Sequence, residues 1–366
     1  MSEFDIAFEK IGALIKAFQS NESHYKSPGY SEAEARKDFI DKFWIALGWD
    51  VNHDQQTNPY EQEVKVERAE GGSQGRADYA FHLAPNFRDV RFFVEAKKPH
   101  GDIATKGNYF QTIRYGWNSE TPLAVLTDFE QFHVLDCRFK PDVDTALNRA
   151  VATYHYTDYA NRERFAELYW LFSREAVAGG SLEKRAKELP KARRVAARLR
   201  PAEAMPVDEA FLQALDEYRT TLAKAFKDEN PKLDSETLTE LAQRTLDRLV
   251  FLRFLEDKGI EPQRLVGRFG ERATAWEDFI AASRRLDATY NGIVFKRHDI
   301  LDGDKFRVDD AFTDICKRLA HADTPYDFNS IPIHILGSIY ERFLGKVIVA
   351  TDKRVRVEEK PEVRKA

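Results

Sequence analysis

Cysteine is almost absent from this chain of 366 residues: Cys137 and Cys316 are the only two, and they lie far apart in sequence. That excludes a disulfide framework and a cysteine-rich zinc site, and it fits a reducing, cytoplasmic setting. Long apolar runs are missing as well, so no segment reads as membrane-spanning. The opening residues, Met1-Ser-Glu-Phe-Asp5, lack the basic start and apolar stretch of a secretion signal. There is no excess of positive charge; the formal net charge is −5, so contact with a polyanion has to come from local basic patches. A glycine-rich stretch, Gly71-Gly-Ser-Gln-Gly75, is not followed by the Gly-Lys-Ser/Thr of a phosphate-binding loop and reads as the tip of a hairpin. What remains is an ordinary globular composition, 43% hydrophobic and 32% charged, with length for two or three domains.

The informative stretch runs from Arg76 to Lys97. Arg76-Ala-Asp-Tyr-Ala-Phe81 and Arg91-Phe-Phe-Val-Glu-Ala-Lys97 are rich in aromatic and β-branched residues, and Pro85 and Asn86 break the chain between them. The pattern predicts two antiparallel strands with a turn. Asp78 then starts one strand and Glu95 ends the next, so the two carboxylates lie at the same end of the sheet. Side chains alternate along a strand, which puts Glu95 and Lys97 on one face and Val94 and Ala96 on the other. Two converging carboxylates suit a hard cation such as Mg²⁺, with Mn²⁺ as a substitute. Such an ion can orient a phosphodiester, and Lys97 can position or deprotonate an attacking water. Spacing alone leaves a second explanation equally open: Glu-x-Lys is common, and a solvated surface ion pair accounts for it.

Asp78 with Glu95-Ala-Lys97 resembles the Asp…(Asp/Glu)-x-Lys signature of the PD-(D/E)xK nuclease superfamily. Gln111-Thr-Ile-Arg-Tyr115 resembles the Gln-xxx-Tyr motif that follows on a helix in one branch of it. Ser31-Glu-Ala-Glu-Ala-Arg-Lys-Asp-Phe-Ile40 resembles the first helix of these enzymes, which often supplies a further acidic residue; Glu32 matches that position. More narrowly, Phe92-Phe-Val-Glu-Ala-Lys-Lys-Pro99 and the segment from Tyr115 to Phe129 are similar to the nuclease part of fused restriction–modification enzymes, type IIG. The resemblance covers residues 30–140. It implies Asp78 and Glu95 as metal ligands, Lys97 as the group acting on water, Gln111 and Glu32 as helpers, Tyr115 beside Gln111 at the DNA, and double-stranded DNA as the partner.

Around this core the chain reads simply. Residues 3–20 carry Phe4, Phe8, Ile11, Ile15 and Phe18 at helical spacing, a core-facing stripe. Ser31 with Glu34 forms a capping box, which gives Glu34 a structural use. Phe39, Ile40, Phe43, Trp44 and Leu47 form a buried face that Gly48 ends. Residues 103–117 read as a helix, Leu123–Thr127 as a buried strand and Phe132–Asp136 as its hairpin partner, with His133 on the strand surface.

After residue 157 the chain turns helical. Residues 181–200 hold eight basic side chains, Lys191, Arg193, Arg194 and Arg198 among them, against Glu183 and Glu188. A solvated linker and a contact to DNA phosphates explain them equally. Helices are predicted over 208–228 and 235–257. The segments from Leu249 to Pro262 and from Ile331 to Leu344 are similar to the helical connector and methyltransferase lead-in of type IIG enzymes.

These readings predict an α/β (α+β) restriction-endonuclease-like core over residues 1–157, a mixed sheet flanked by helices, followed by an all-α connector over 158–366. The expected function is Mg²⁺-dependent hydrolysis of DNA phosphodiesters within a restriction–modification enzyme. The alternatives are a non-catalytic DNA-binding or assembly module of the same fold and a repair-type nuclease. No Asn-Pro-Pro-Tyr motif and no glycine-rich methyl-donor loop is present. Methylation and S-adenosylmethionine therefore belong to methyltransferase and target-recognition domains in a longer form or a separate chain, this one being truncated or naturally split.

Overall fold

A computed structural model describes residues 1–66, 77–190, 205–262, 264–271, 274–290, 292–308, 310–351 and 354–360. They form two compact units, Met1–Pro206 and Val207–Ala366.

The first unit is built on a six-stranded sheet in sequential order: β1 (Val64–Val66), β2 (Tyr79–Phe81), β3 (Phe92–Ala96), β4 (Leu123–Thr127), β5 (Gln131–Asp136) and β6 (Ala150–His155). Every neighbouring pair is antiparallel except β3 with β4. A parallel pair needs a crossover, and helix α5 (Lys106–Asn118) supplies it. Both central strands are buried along their whole length. Their side chains divide by alternation. Val94, Ala96, Leu123 and Val125 join the larger core, while Phe93, Ala124 and Leu126 face α5 with Tyr109, Phe110, Ile113 and Tyr115. This is the mixed sheet flanked by helices that the pattern predicts.

The larger core is closed by α1 (Glu3–Ser20), a short α2 (Glu22–Tyr25) and a three-part helix. Its parts are α3 (Glu32–Ala35), a π-helical turn (Arg36–Ile40) and α4 (Asp41–Ala46). Ser2 caps α1 and Ser31 caps α3, each in a reciprocal box with an acidic residue three positions on. Gly48, at φ +92°, ends the run beyond α4 in a conformation that favours glycine.

The first unit continues past residue 157, where the strands give way to α6 (Arg162–Phe172), α7 (Arg174–Ala178) and α8 (Ser181–Glu188). Phe165 packs on Phe4 and Phe8 of α1, and Phe172 packs on Phe92 and Phe132 of the sheet. Trp49 Nε1 donates to Phe172 O at 2.9 Å, and Arg174 pairs with buried Glu63 at 2.6 Å. His133, expected on a strand surface, is buried beneath α5, its Nδ1 2.8 Å from Tyr109 Oη. The sheet is covered on both faces there, which a lone polar residue in an apolar strand does not reveal.

The second unit holds α9 (Val207–Glu229), α10 (Ser235–Asp257), α11 (Leu265–Glu271), α12 (Ala275–Tyr290), α13 (Asp310–Ala320) and α14 (Ile333–Leu344). The expectation of an all-α segment is corrected at its end: β7 (Lys346–Thr351) and β8 (Arg354–Glu359) form an antiparallel hairpin. Lys-Val-Ile-Val-Ala-Thr and Arg-Val-Arg-Val-Glu-Glu have the valine content and period of two that strands favour. The edge of β7 is tied to α10, with Ile348 N donating to Thr239 Oγ1 at 2.9 Å and Ala350 N to Ser235 Oγ at 3.0 Å. Among the described residues no helix is long and apolar enough to cross a membrane.

Candidate active site

The antiparallel register of β2 and β3 pairs Tyr79 with Val94, which carries Asp78 opposite Glu95. The chain around these residues is fixed by backbone bonds. Asp78 Oδ2 accepts from Ala96 N at 2.7 Å, and Lys97 N donates to Thr127 O at 2.8 Å, extending the pairing of β3 with β4 beyond the strand. Lys97 turns back along the face it shares with Glu95, and its Nζ donates to Glu95 Oε1 at 2.5 Å. From α5, Gln111 Nε2 donates to the same oxygen at 3.0 Å and to Tyr115 Oη at 2.9 Å. Glu95 is 3% exposed, and its second oxygen, Oε2, is buried without a hydrogen-bond partner.

A third carboxylate comes from α3. Glu34 is spent on the Ser31 cap, as the capping pattern predicts. Glu32 lies close enough to the sheet end for Asp78 and Lys97 to act on it. Burial, with the charge of Asp78 behind it, pushes the Glu95 carboxyl up to about 8. Glu32 is raised by the same two effects, with Lys97 and Arg36 pulling the other way. Burial presses the Lys97 ammonium down, but Glu95, Glu32 and Asp78 outweigh it and hold the group above its ordinary value. Ionisation of Glu95 and Glu32 is thus costly here, an arrangement typical of functional sites.

The chain is similar to the type II restriction enzyme and methyltransferase RM.Eco57I of Escherichia coli. The identity is 29% over 364 residues, which covers 97% of this chain but 35% of that protein. The chain is thus related to a restriction–modification enzyme and spans about a third of the relative's length. No family model matches it, and no solved structure matches it.

Asp78, Glu95, Lys97 and Gln111 are brought together by direct contacts, and Glu32 comes within electrostatic reach of them. Tyr115, expected beside the DNA, is fully buried in the α5 core and acts in this structure as the prop for Gln111. Lys191, Arg193, Arg194 and Arg198 lie outside the described residues.

Three side chains at the site were not singled out from the sequence. Arg36 Nη1 donates to Asp78 Oδ1 at 2.9 Å, and its Nε donates to Tyr79 Oη at 3.3 Å with the guanidinium 4.8 Å over the Tyr79 ring. Tyr79 Oη in turn donates to Asp41 Oδ1 at 2.6 Å. One signal was available: Glu32 and Arg36 are four apart on a helix and share a face. The other was not, because Asp41 is five residues from Arg36. In regular α geometry residues five apart lie roughly 140° apart around the axis. The π-turn brings them round, with Asp41 N bonded to Arg36 O.

Proposed function

We propose that this chain is the DNA-cleaving part of a restriction–modification system, a PD-(D/E)xK-type nuclease that hydrolyses phosphodiester bonds of double-stranded DNA with Mg²⁺. The observation that carries the reading is the meeting of Asp78, Glu95 and Lys97 at one sheet end, with Glu95 Oε2 buried and unpartnered. The relationship to a restriction–modification enzyme supports it from the side of the whole chain.

The donor set fits a divalent cation. Among the described residues no three His, Cys, Asp or Glu side chains form a ready cluster. Mg²⁺ needs none, since it keeps most of its waters and takes one or two carboxylates together with substrate phosphate. Asp78 and Glu95 would hold it, with Glu32 further out. When bound, the ion supplies positive charge to the phosphate oxygens and lowers the pKa of a bound water.

The chain's own residues do the rest. Lys97, beside Glu95, would orient or activate the attacking water and steady negative charge that develops on oxygen. Gln111, propped by Tyr115, fixes the rotamer of Glu95 through Oε1 and leaves Oε2 for the site. The basic residues Lys191, Arg193, Arg194 and Arg198 would meet the DNA backbone. Methyltransferase and target-recognition parts, in the same chain or a second one, would complete the system and bind S-adenosylmethionine.

The test is nicking and linearisation of supercoiled plasmid with Mg²⁺, alongside a melting curve for each variant. Asp78→Ala and Glu95→Ala should abolish cleavage. Lys97→Ala should slow it by about 10²–10⁴-fold, the usual scale for a group that handles protons or charge in the transition state. Lys98, whose Nζ reaches Pro28 O at 3.5 Å and not Glu95, is the control, and Lys98→Ala should keep most activity. Folded wild-type protein that binds plasmid but never cuts it would replace this reading with that of a DNA-binding module.

A further inference from the structure

Each oxygen at the site has a different claim on it. Asp78 Oδ2 is held by a backbone N–H that cannot leave without breaking the sheet end. Glu95 can keep Lys97 and Gln111 on Oε1 while offering Oε2. Asp78 Oδ1 is taken by a side chain, the Arg36 guanidinium, only 15% exposed at each partner. Groups that could receive that guanidinium lie next to it. Its Nε touches Tyr79 Oη, its plane lies over the Tyr79 ring, and Asp41 sits behind the tyrosine hydroxyl. A change of side-chain rotamer would release Asp78 and swing the guanidinium as a unit toward the Tyr79 ring and Asp41. The π-turn is what puts Arg36 and Asp41 on one face.

We propose that Arg36 is an internal counter-ion that closes the cation position at Asp78, and that a divalent cation enters by displacing Arg36 Nη1 from Asp78 Oδ1 toward Tyr79 and Asp41. The proposal rests on the metal-dependent reading above and adds a positioning residue to it. Arg36 offsets the charge of part-buried Asp78 while no cation is there, which lessens its repulsion of buried Glu95. It also sets a threshold, because the incoming ion must outcompete a guanidinium already in place. The result is a site that fills weakly until something else at the sheet end, such as a bound phosphate, favours the displaced arginine.

The experiment is Mn²⁺ binding to the full chain without DNA, by calorimetry and by electron paramagnetic resonance of free Mn²⁺. Arg36→Gln should tighten binding by about tenfold or more, the scale of removing one nearby charge in a partly buried site. Arg36→Lys, which restores a cation, should return affinity toward wild type. Lys98→Gln removes a charge that does not touch Asp78 and should change affinity little.

In the wild type, the Arg36 side-chain N–H resonance, assigned with Arg36→Lys, should move on addition of Mg²⁺ and stay fixed in Asp78→Asn. That measurement stands even if Arg36→Gln fails to fold. Unchanged or weaker Mn²⁺ binding in folded Arg36→Gln, equal tightening by Lys98→Gln, or an Arg36 resonance indifferent to Mg²⁺ would each overturn the proposal while leaving metal binding intact. Mn²⁺ binding that Asp78→Asn does not reduce, or no binding by any form, would overturn the metal reading itself and the proposal with it.

Discussion

At the scale of single residues, the chain keeps carboxylates in places where ionisation is unfavourable, and not all of them are at the proposed site. Asp128, in the turn between β4 and β5, is fully buried; Oδ1 accepts from Gln131 N at 2.6 Å and Oδ2 has no partner. Burial pushes its carboxyl up to about 8. In the unfolded chain the group titrates near 4. Between those two values the folded state holds a proton that the unfolded state has lost. Stability therefore falls as pH rises, by at most about 1.4 kcal/mol per pH unit, and levels off above pH 8. Asp128→Asn removes this term. Its Tm should exceed that of the wild type by an amount that grows from pH 5 to pH 8, and calorimetric scans across that range check it. A constant offset between the two proteins would mean that Asp128 is not the group responsible.

At the scale of elements, what could be read in the sequence and what could not divide along a physical line. The hairpin of β2 and β3 was legible because alternation and turn residues are local properties, and register followed from them. So were α1, with its stripe of apolar residues, and the α3 cap, where Ser31 and Glu34 are three residues apart. The meeting of Arg36 with Asp41 was not, because it depends on five residues of π geometry that the composition of Arg-Lys-Asp-Phe-Ile does not announce. The closing hairpin of β7 and β8 is masked by the long helical stretch before it, although its residues alternate with a period of two. Burial of Tyr115 and His133 depends on α5 lying flat over the sheet. That approach has a measurable consequence. A Cβ placed on Gly116 would come 2.5 Å from Cys137 Sγ and 2.7 Å from Cys137 Cβ, at the end of β5. Gly116→Ala should cost about 1–3 kcal/mol, as overpacking of a tight core does. Chemical denaturation would read that loss. Cleavage should fall by more than the stability does, because α5 also carries Gln111 and Tyr115.

At the scale of the whole molecule, the two units make a prediction about where the chain can be cut. Residues 1–206 contain the sheet and every helix that closes its larger core. Residues 1–157 lack Phe165 and Phe172, which fill the space between α1, Trp44 and the sheet. The longer piece should melt cooperatively and the shorter one should not. Circular dichroism with thermal scans distinguishes them, and a cooperative 1–157 fragment would show that α6 is dispensable. The same geometry bears on synthesis. Because the strands pair in sequence order, the sheet can be laid down as the polypeptide leaves the ribosome, and Glu32, Asp78, Glu95, Lys97 and Gln111 have all been synthesised by residue 111. The helix that locks α1 against that sheet arrives some sixty residues later, on the order of several seconds at typical elongation rates. For that interval the nascent chain carries the side chains of the proposed site before its larger core is complete. On the proposed reading, cleavage would await completion of the fold and not the appearance of its residues.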